Sequence, residues 1–183
     1  INMTQYTFRQ FLENNKTDYL NIEPSIDDWI NHISTLFPQV RLKQFLEIRS
    51  MDSCSWDLIC SQPAFWIGIL YDELSFQKAQ DITESWTQED RNYINEIAPI
   101  VGLKAKFKNS TILNIAQKLF EISKHGLDRR NILANNKTYN ETYYLKDLEK
   151  NLTNGNSPAD ILIDKFNNQW NQNIKEIYKE NIF

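Results

Sequence analysis

The sequence predicts an α+β fold in which helices dominate and a single strand stands out. Helix-start signals and helical spacings of apolar residues recur from Pro63 to the C-terminus. Residues 41–49 instead show the two-residue alternation that is typical of a strand. Because one strand cannot form a sheet alone, we expect it to belong to a sheet that residues upstream of Ile1 complete.

The alternation divides this strand into two different faces. The surrounding run, from Val40 to Asp52, is V-R-L-K-Q-F-L-E-I-R-S-M-D. One face is apolar apart from one amide, and its members are Leu42, Gln44, Leu46 and Ile48. The opposite face is mostly charged, and its members are Arg41, Lys43, Phe45, Glu47 and Arg49. The strand is therefore predicted to pack on one side and to present charge on the other.

The charged face has two interpretations. A strand that packs on one side and meets solvent on the other would show the same alternation. However, the face combines three cations with one carboxylate, and apolar and aromatic residues flank it. Buried charges are costly unless they pair with one another or with a ligand. We favour a face that binds an anionic ligand, since arginines clamp phosphate oxygens and a carboxylate suits Mg²⁺.

Caps and apolar spacings predict helices in most of the remaining chain. Ser25 with Asp28 has the spacing of a capping box, Pro63 suits a first helical turn, and Gly126 suits a helix end. The predicted helices are 7–12, 26–36, 64–71, 76–86, 87–98, 110–126, 127–133, 143–154 and 158–170. Neither a repeat nor a clear linker interrupts the chain, so residues 1–183 are predicted to form a single unit.

Composition excludes several classes of protein. The 183 residues are 41% hydrophobic and 24% charged, with a net charge of −4, which argues against a nucleic-acid partner. Apolar runs fall short of the roughly 20 residues that span a membrane, and the N-terminus does not resemble a signal peptide. Cys54 and Cys60 have no spacing to histidines that suits zinc. We therefore predict a cytoplasmic protein.

Two long runs carry a resemblance to a known family. The first, Pro24 to Asp52, is P-S-I-D-D-W-I-N-H-I-S-T-L-F-P-Q-V-R-L-K-Q-F-L-E-I-R-S-M-D, and the second, at 58–72, is L-I-C-S-Q-P-A-F-W-I-G-I-L-Y-D. Shorter matches follow, namely G-L-K-A-K-F at 102–107, G-L-D-R-R at 126–130 and S-P-A-D-I-L at 157–162. Together they resemble the C-terminal part of plant-type glutamate–cysteine ligases. That family occurs in plants and in many bacteria, and we predict a bacterial member.

The resemblance implies a fold and a reaction. Members have a glutamine-synthetase-like antiparallel sheet in a chain more than twice this length, so the upstream part of the same polypeptide is an expected partner. They use ATP to convert the γ-carboxylate of glutamate to γ-glutamyl phosphate, which the amine of cysteine attacks. Glutamate, cysteine and ATP are therefore the expected substrates and Mg²⁺ the expected cofactor, and the 183 residues alone are expected to be inactive.

Roles for individual residues also follow from the resemblance. An E-x-R pair in the wider superfamily supplies a metal-binding carboxylate and a phosphate-binding arginine. The corresponding residues here imply Glu47 as a Mg²⁺ ligand and Arg49 as the catalytic clamp on phosphate. Arg41 is a further catalytic candidate, and Lys43 and Lys104, with Arg49, are candidates for binding substrate or ATP.

Departures from the family pattern keep other functions open. Ser50, Ser53 and Cys54 stand where members have glycines, and Lys108 replaces an arginine. One alternative is a non-catalytic helical module for interaction or regulation that retains the family's sequence. Another is a related carboxylate–amine ligase with a different amine acceptor. The pair Arg129 and Arg130 could bind a ligand or simply complement the C-terminus of a helix.

Overall fold

The computed structural model describes residues 7–13, 25–134 and 138–180. These residues belong to two compact units, Ile1–Asp52 and Ser53–Phe183. Helices make up most of the described regular structure in both units, and the strands form small antiparallel pairs, which confirms an α+β class dominated by helices. The expectation that the whole chain acts as a single unit stays a prediction.

The first unit combines two helices with a β-hairpin. Its elements are α1 (Phe8–Glu13), α2 (Ile26–Ser34), β1 (Val40–Leu42) and β2 (Leu46–Ile48). At the start of α2 the hydroxyl of Ser25 accepts from the backbone N–H of Asp28, and the Asp28 carboxylate accepts from the Ser25 N–H. This reciprocal pair satisfies two otherwise orphaned donors and confirms the capping box predicted there.

The continuous strand predicted at 41–49 is wrong. The chain reverses at residues 43–45, where the backbone N–H of Lys43 donates to the carbonyl of Phe45 over 2.9 Å. β1 and β2 then pair antiparallel, with Arg41 opposite Glu47 and Leu42 opposite Leu46. Alternation alone cannot locate such a reversal, because this turn contains none of the Gly, Pro, Asn or Asp residues that mark most hairpins.

The second unit is a bundle of helices with one further small hairpin. Its strands are β3 (Lys106–Phe107) and β4 (Ser110–Thr111). Its helices are α3 (Trp56–Leu70), α4 (Glu73–Thr83), α5 (Gln88–Val101), α6 (Ile112–Arg130), α7 (Lys146–Asn154), α8 (Pro158–Asn168) and α9 (Ile177–Glu180). Capping boxes start α5 at Thr87 and α8 at Ser157, and Gly155, with φ 67°, ends α7.

Several predicted helix boundaries are wrong in this unit. The helix predicted at 76–86 is α4, which spans Glu73–Thr83, and the one predicted at 143–154 is α7, which begins at Lys146. α3 begins at Trp56, so Pro63 lies inside the helix, and Pro99 likewise lies inside α5. α6 continues past Gly126 to Arg130, and its C-cap Asn131 adopts the left-handed conformation with φ 49°. Gly126 allows α6 to pack closely on α3 and does not end the helix. The local sequence alone cannot distinguish these two roles of a glycine.

The core of the second unit forms where α3 crosses α6. Its buried side chains include Ala64, Phe120, Leu127, Leu145 and Leu152. At the crossing the two backbones approach so closely that a Cβ on Gly126 would lie 1.9 Å from the carbonyl oxygen of Gly68. Only glycine fits at such a contact, so these two positions set the distance between the helices.

Three buried serines tie neighbouring elements to this crossing. The hydroxyl of Ser123 donates to the Phe65 carbonyl over 2.8 Å. That of Ser75 donates to the Ile122 carbonyl over 2.8 Å, and that of Ser61 to the Tyr144 carbonyl over 2.6 Å. All three side chains are almost completely buried, so each hydroxyl needs such a partner to offset its desolvation.

Candidate functional site

The hairpin of the first unit gathers four of the five residues selected from the sequence. Arg41 and Glu47 are direct cross-strand partners, and such partners project from the same face of a hairpin. Arg49 lies two residues beyond Glu47, which places it on that face too. Its backbone N–H donates to the Gln39 carbonyl over 2.8 Å, so pairing continues past the end of β2.

Glu47 lies at the centre of this cluster. Its Oε2 accepts from Nε of Arg41 at 2.8 Å and lies 2.8 Å from Nη2 of the same guanidinium. Its Oε1 accepts from Nη1 of Arg49 at 3.0 Å, and the ammonium of Lys43 lies 3.9 Å from Oε2. One carboxylate thus holds three cations together, and we call these four residues the hairpin cluster.

The pKa of Glu47 is lowered in this environment. The hydrogen bond from Arg41 is the largest cause, and the charges of Arg41, Lys43 and Arg49 act in the same direction. Three positive charges against one negative charge leave the hairpin cluster with an excess of two positive charges. An anion such as a phosphate group is the ligand that this electrostatic balance favours.

Neighbouring groups orient the two arginines. The side chain of Arg41 is 16% exposed, and its Nη1 donates to the Ser34 carbonyl at the end of α2 over 3.3 Å. The guanidinium of Arg49 lies over the ring of Phe37, 4.9 Å from its centroid. Sequence analysis did not identify Ser34 or Phe37 as part of the site. Phe37 could have been found, since it follows α2 directly and an arginine stacks readily on an aromatic ring.

The hairpin cluster contains one carboxylate that could coordinate a magnesium ion, that of Glu47. Among the residues that the structure describes, no group of three or more His, Cys, Asp or Glu side chains could hold a metal. Mg²⁺ is commonly held by one or two carboxylates together with phosphate oxygens and water. The donor set therefore fits a metal ion that binds together with phosphate, and Glu47 is the residue that could contribute to it.

Lys104, the fifth candidate, lies in the second unit. It is exposed at the end of a 3₁₀ turn that follows α5. The pKa of Asp160, the capping residue of α8, is lowered mainly by hydrogen bonds with Ser157 and also by the charge of Lys104. Lys104 therefore has at least a local electrostatic role.

Other basic residues of the family motifs are engaged within the protein. Lys108 forms a salt bridge with Asp90 at 2.9 Å and donates to the Ser85 carbonyl over 3.2 Å. Arg130 lies 3.4 Å from the carboxylate of Glu141. These contacts favour structural roles for both residues.

In the described part of the chain, none of the helices combines the length and the apolar character needed to cross a membrane.

Curated relatives align with essentially all of this chain. It is 33% identical over 183 residues to glutamate–cysteine ligase A, chloroplastic, of Oryza sativa subsp. indica, and 35% identical over 183 residues to the chloroplastic glutamate–cysteine ligase of Arabidopsis thaliana. The tobacco protein of the same name, from Nicotiana tabacum, is 34% identical over 97% of the chain. The chain spans about a third of the length of these relatives, 36%, 34% and 33% respectively.

These relatives contradict the predictions of a bacterial source and a cytoplasmic location. All three are plant proteins whose names place them in the chloroplast. The bacterial source was one of two that the resemblance allowed, and the location failed because composition shows only that a chain suits an aqueous compartment. The cytoplasm and the chloroplast stroma are both aqueous, so composition cannot separate them.

The family assignment rests on a match along nearly the whole chain. The profile of glutamate–cysteine ligase family 2 (GCS2) matches residues 7–180, which include the hairpin cluster and all the helices of the second unit. The relatives support the same assignment across both units. The chain belongs to glutamate–cysteine ligase family 2.

Proposed function

We propose that the complete polypeptide containing residues 1–183 is an ATP-dependent ligase. It joins the γ-carboxylate of glutamate to the amine of cysteine through γ-glutamyl phosphate, and this part of the chain supplies its phosphate-binding hairpin. The observation that carries the proposal is the hairpin cluster, in which Glu47 holds three cations within 2.8 to 3.9 Å. Family membership and the names of the relatives support the same reaction.

The arginines of the hairpin cluster are suited to bind the phosphoryl group. A guanidinium has five N–H donors in a planar fork that matches phosphate oxygens. Arg49 uses Nη1 for Glu47, so its outer edge remains for substrate, and stacking on Phe37 limits its rotation. Such an arginine stabilises charge that develops on the phosphoryl oxygens during transfer.

Arg41, Lys43 and Lys104 have supporting roles in this proposal. Arg41 is held more firmly than Lys43, whose side chain is 48% exposed and whose ammonium lies 3.9 Å from Glu47. Arg41 thus contributes a fixed positive charge, and Lys43 a mobile one that can follow the phosphate. Lys104 is proposed to bind substrate or ATP in the assembled enzyme.

Glu47 is proposed as the magnesium ligand. It would hold the ion together with phosphate oxygens, and when bound the metal neutralises charge on the phosphate groups. Before substrate binds, Glu47 keeps Arg41 and Arg49 side by side, which prevents mutual repulsion from separating them. Glu47 therefore organises the cations that meet the phosphoryl group.

We also infer that upstream residues of the same polypeptide complete the hairpin into a larger antiparallel sheet. Among the described residues of the first unit none is buried, and on the apolar face of the hairpin Leu42 is 79% exposed and Leu46 63%. An apolar strand face of this kind stabilises a protein only when another layer covers it. The curated relatives are about three times as long, which leaves ample chain for that role.

The test is ADP release by the longest polypeptide that contains residues 1–183. We expect release that requires both glutamate and cysteine, and no release by residues 1–183 alone. Glu47→Gln should lower kcat by about 100-fold or more, because it removes the charge that aligns two arginines and meets the metal. Replacing cysteine with other amino acids in the same assay identifies the amine acceptor.

The matched control is Glu149→Gln, which removes a carboxylate that forms an ion pair with Lys124 at 2.7 Å on the surface of the second unit. It should leave kcat unchanged. Equal activity of the Glu47→Gln variant and the parent would disprove the role of Glu47. A folded polypeptide without any amino-acid-dependent ADP release would instead favour a non-catalytic module.

A further inference from the structure

A cavity of about 380 Å³ opens among the helices of the second unit. Its lining comes from the segment that leads into α3 and the start of that helix, from α7 and α8, and from Ile177 of α9. Its volume falls within the range of about 300–1,000 Å³ that small-molecule sites occupy. Neither the phosphoryl chemistry proposed above nor the core of the unit uses this cavity.

The lining combines an apolar floor with charges of both signs. Leu58, Ile161 and Leu162 contribute apolar surface, while Asp57 and Asp147 contribute carboxylates. The residues on α8 recur at intervals of three and four, so one continuous stripe of that helix faces the cavity. A ligand of this cavity therefore needs an apolar part and a polar part.

Two lysines also line the cavity, and they differ in their partners. The ammonium of Lys165 forms a salt bridge with Glu180 at 2.7 Å. Within residues 7–13, 25–134 and 138–180, by contrast, Lys150 and Asp147 take part in no salt bridge. They lie three residues apart on α7, on the same side of that helix. Lys150 and Asp147 thus offer one positive and one negative charge to a ligand.

This balance of charge selects among ligand classes. A simple anion would meet the carboxylates of Asp57 and Asp147, and a simple cation would meet Lys150. A fully apolar molecule would bury these charges without partners, which is costly. A molecule that carries one carboxylate, one ammonium group and a short apolar side chain offers a partner to each kind of group in the lining.

We propose that this cavity, which the proposed ligase reaction does not require, binds a free amino acid with an aliphatic side chain. Its carboxylate pairs with Lys150, its ammonium group pairs with Asp147, and its side chain packs on Leu58, Ile161 and Leu162. Cys54 also lines the cavity and is only partly exposed, so a bound ligand shields its thiol.

The experiment measures alkylation of Cys54 by iodoacetamide in the complete polypeptide, read out by mass spectrometry, with L-leucine as the probe. Leucine bound in the cavity should slow alkylation of Cys54 by about tenfold when its concentration is ten times its Kd. Cys60 does not line the cavity, so its rate should not change. L-Leucinamide lacks the carboxylate and 4-methylpentanoate lacks the amine, so neither should protect Cys54.

Substitutions then locate the ligand. Lys150→Gln and Asp147→Asn should each abolish protection by leucine, whereas Lys118→Gln, on an exposed face of α6, should not. Circular dichroism verifies that each variant is folded, and all three positions are exposed, which favours folding.

Three outcomes would overturn the proposal. The first is the absence of protection by leucine at concentrations up to about 10 mM, which marks a very weak ligand. The second is equal slowing at Cys54 and Cys60, because that result reports general stabilisation of the fold. The third is unchanged protection in both cavity variants. Because the readout is protection and not ADP release, its failure is distinguishable from failure of the proposed ligase activity.

Discussion

Arg129 joins the end of α6 to the start of α4. Its Nε donates to Oδ2 of Asp72 at 3.0 Å and its Nη2 to Oδ1 at 2.5 Å, while Nη2 also donates to the buried hydroxyl of Ser75. Asp72 in turn caps α4 by accepting from the Ser75 N–H at 2.8 Å. Of the two interpretations of Arg129 left by the sequence, these contacts favour the structural one. A bidentate pair of this kind is stronger than an ordinary surface salt bridge.

The Asp72→Asn variant tests this pair through its pH dependence. The hydrogen bond from Arg129 is the main reason that the pKa of Asp72 is lowered far below its usual value. A carboxylate with a lowered pKa stabilises the folded state above its unfolded pKa of about 3.9, and that stabilisation is lost as the pH falls towards the folded pKa. Asparagine keeps the helix cap but not the charge, so the variant should lose about 1–2 kcal/mol at pH 7.

Urea unfolding of the variant and the parent at several pH values measures this effect. The difference in unfolding free energy should be constant near neutral pH and should shrink progressively below about pH 4. Asp164→Asn is the control, since Asp164 accepts one hydrogen bond from Asn168 on the exposed side of α8 and should change stability by less than about 0.5 kcal/mol. A difference for Asp72→Asn that does not depend on pH would exclude the charge as its cause.

At the scale of elements, α3 and α6 can cross closely because the glycines at the crossing, Gly68 and Gly126, have no side chains. A Cβ on Gly68 would lie 2.3 Å from the Ser123 carbonyl oxygen, and one on Gly126 would lie 1.9 Å from the Gly68 carbonyl oxygen. Neither contact involves a flexible side chain, so relief requires the helices to separate. Separation would also break the hydrogen bond from the buried Ser123 hydroxyl to Phe65.

Gly126→Ala should therefore destabilise the protein by about 3 kcal/mol, even though alanine is the better helix former. Thermal or urea unfolding measures the change. Lys118→Ala provides the comparison, because it places the same side chain on an exposed position of α6 and should alter stability by at most about 0.5 kcal/mol. If the glycine variant proved as stable as the parent, the helices would not be in direct backbone contact.

At the scale of the molecule, the two units differ in how many of their described side chains are buried. The second unit has a continuous core that includes Phe120 and Leu127, whereas none of the described residues of the first unit is buried. Apolar burial is the main source of folding free energy, so the core gives the second unit a source of stability that residues 7–13 and 25–52 do not show. The proposed sheet supplies what the first unit lacks.

Hydrogen exchange of residues 40–48 tests that proposal directly. We expect their backbone amides to exchange rapidly in residues 1–183 alone and to be protected in the complete polypeptide, because added strands would bury and pair them. Amides of α6 serve as the internal reference and should be protected in both. Equal exchange of residues 40–48 in the two proteins would show that no upstream strand covers the hairpin.

Much of the local structure could be predicted because its causes are local. The capping boxes at Ser25, Thr87 and Ser157 each join residues three apart, and the helices that follow them begin within one residue of the predicted starts. Gly155 ends α7 with a positive φ, which is a property of glycine itself. The turn at residues 43–45 and the interior positions of Pro63 and Pro99 could not be predicted. The turn has none of the residues that mark most hairpins, and a proline by itself does not show whether a helix starts, stops or continues at its position.

The sequence by itself determined the family, the α+β class and the choice of the four residues of the hairpin cluster, which it placed on one face of a single strand. Only the tertiary structure decided that the chain reverses after Lys43, which makes Arg41 and Glu47 direct partners and draws Arg49 and Lys43 to the same carboxylate. It also decided that Gly126 lies at a helix crossing and not at a helix end. The physical reason is the same in both cases. Periodicity and caps depend on neighbours in sequence, whereas strand pairing and helix contact depend on which distant backbone approaches.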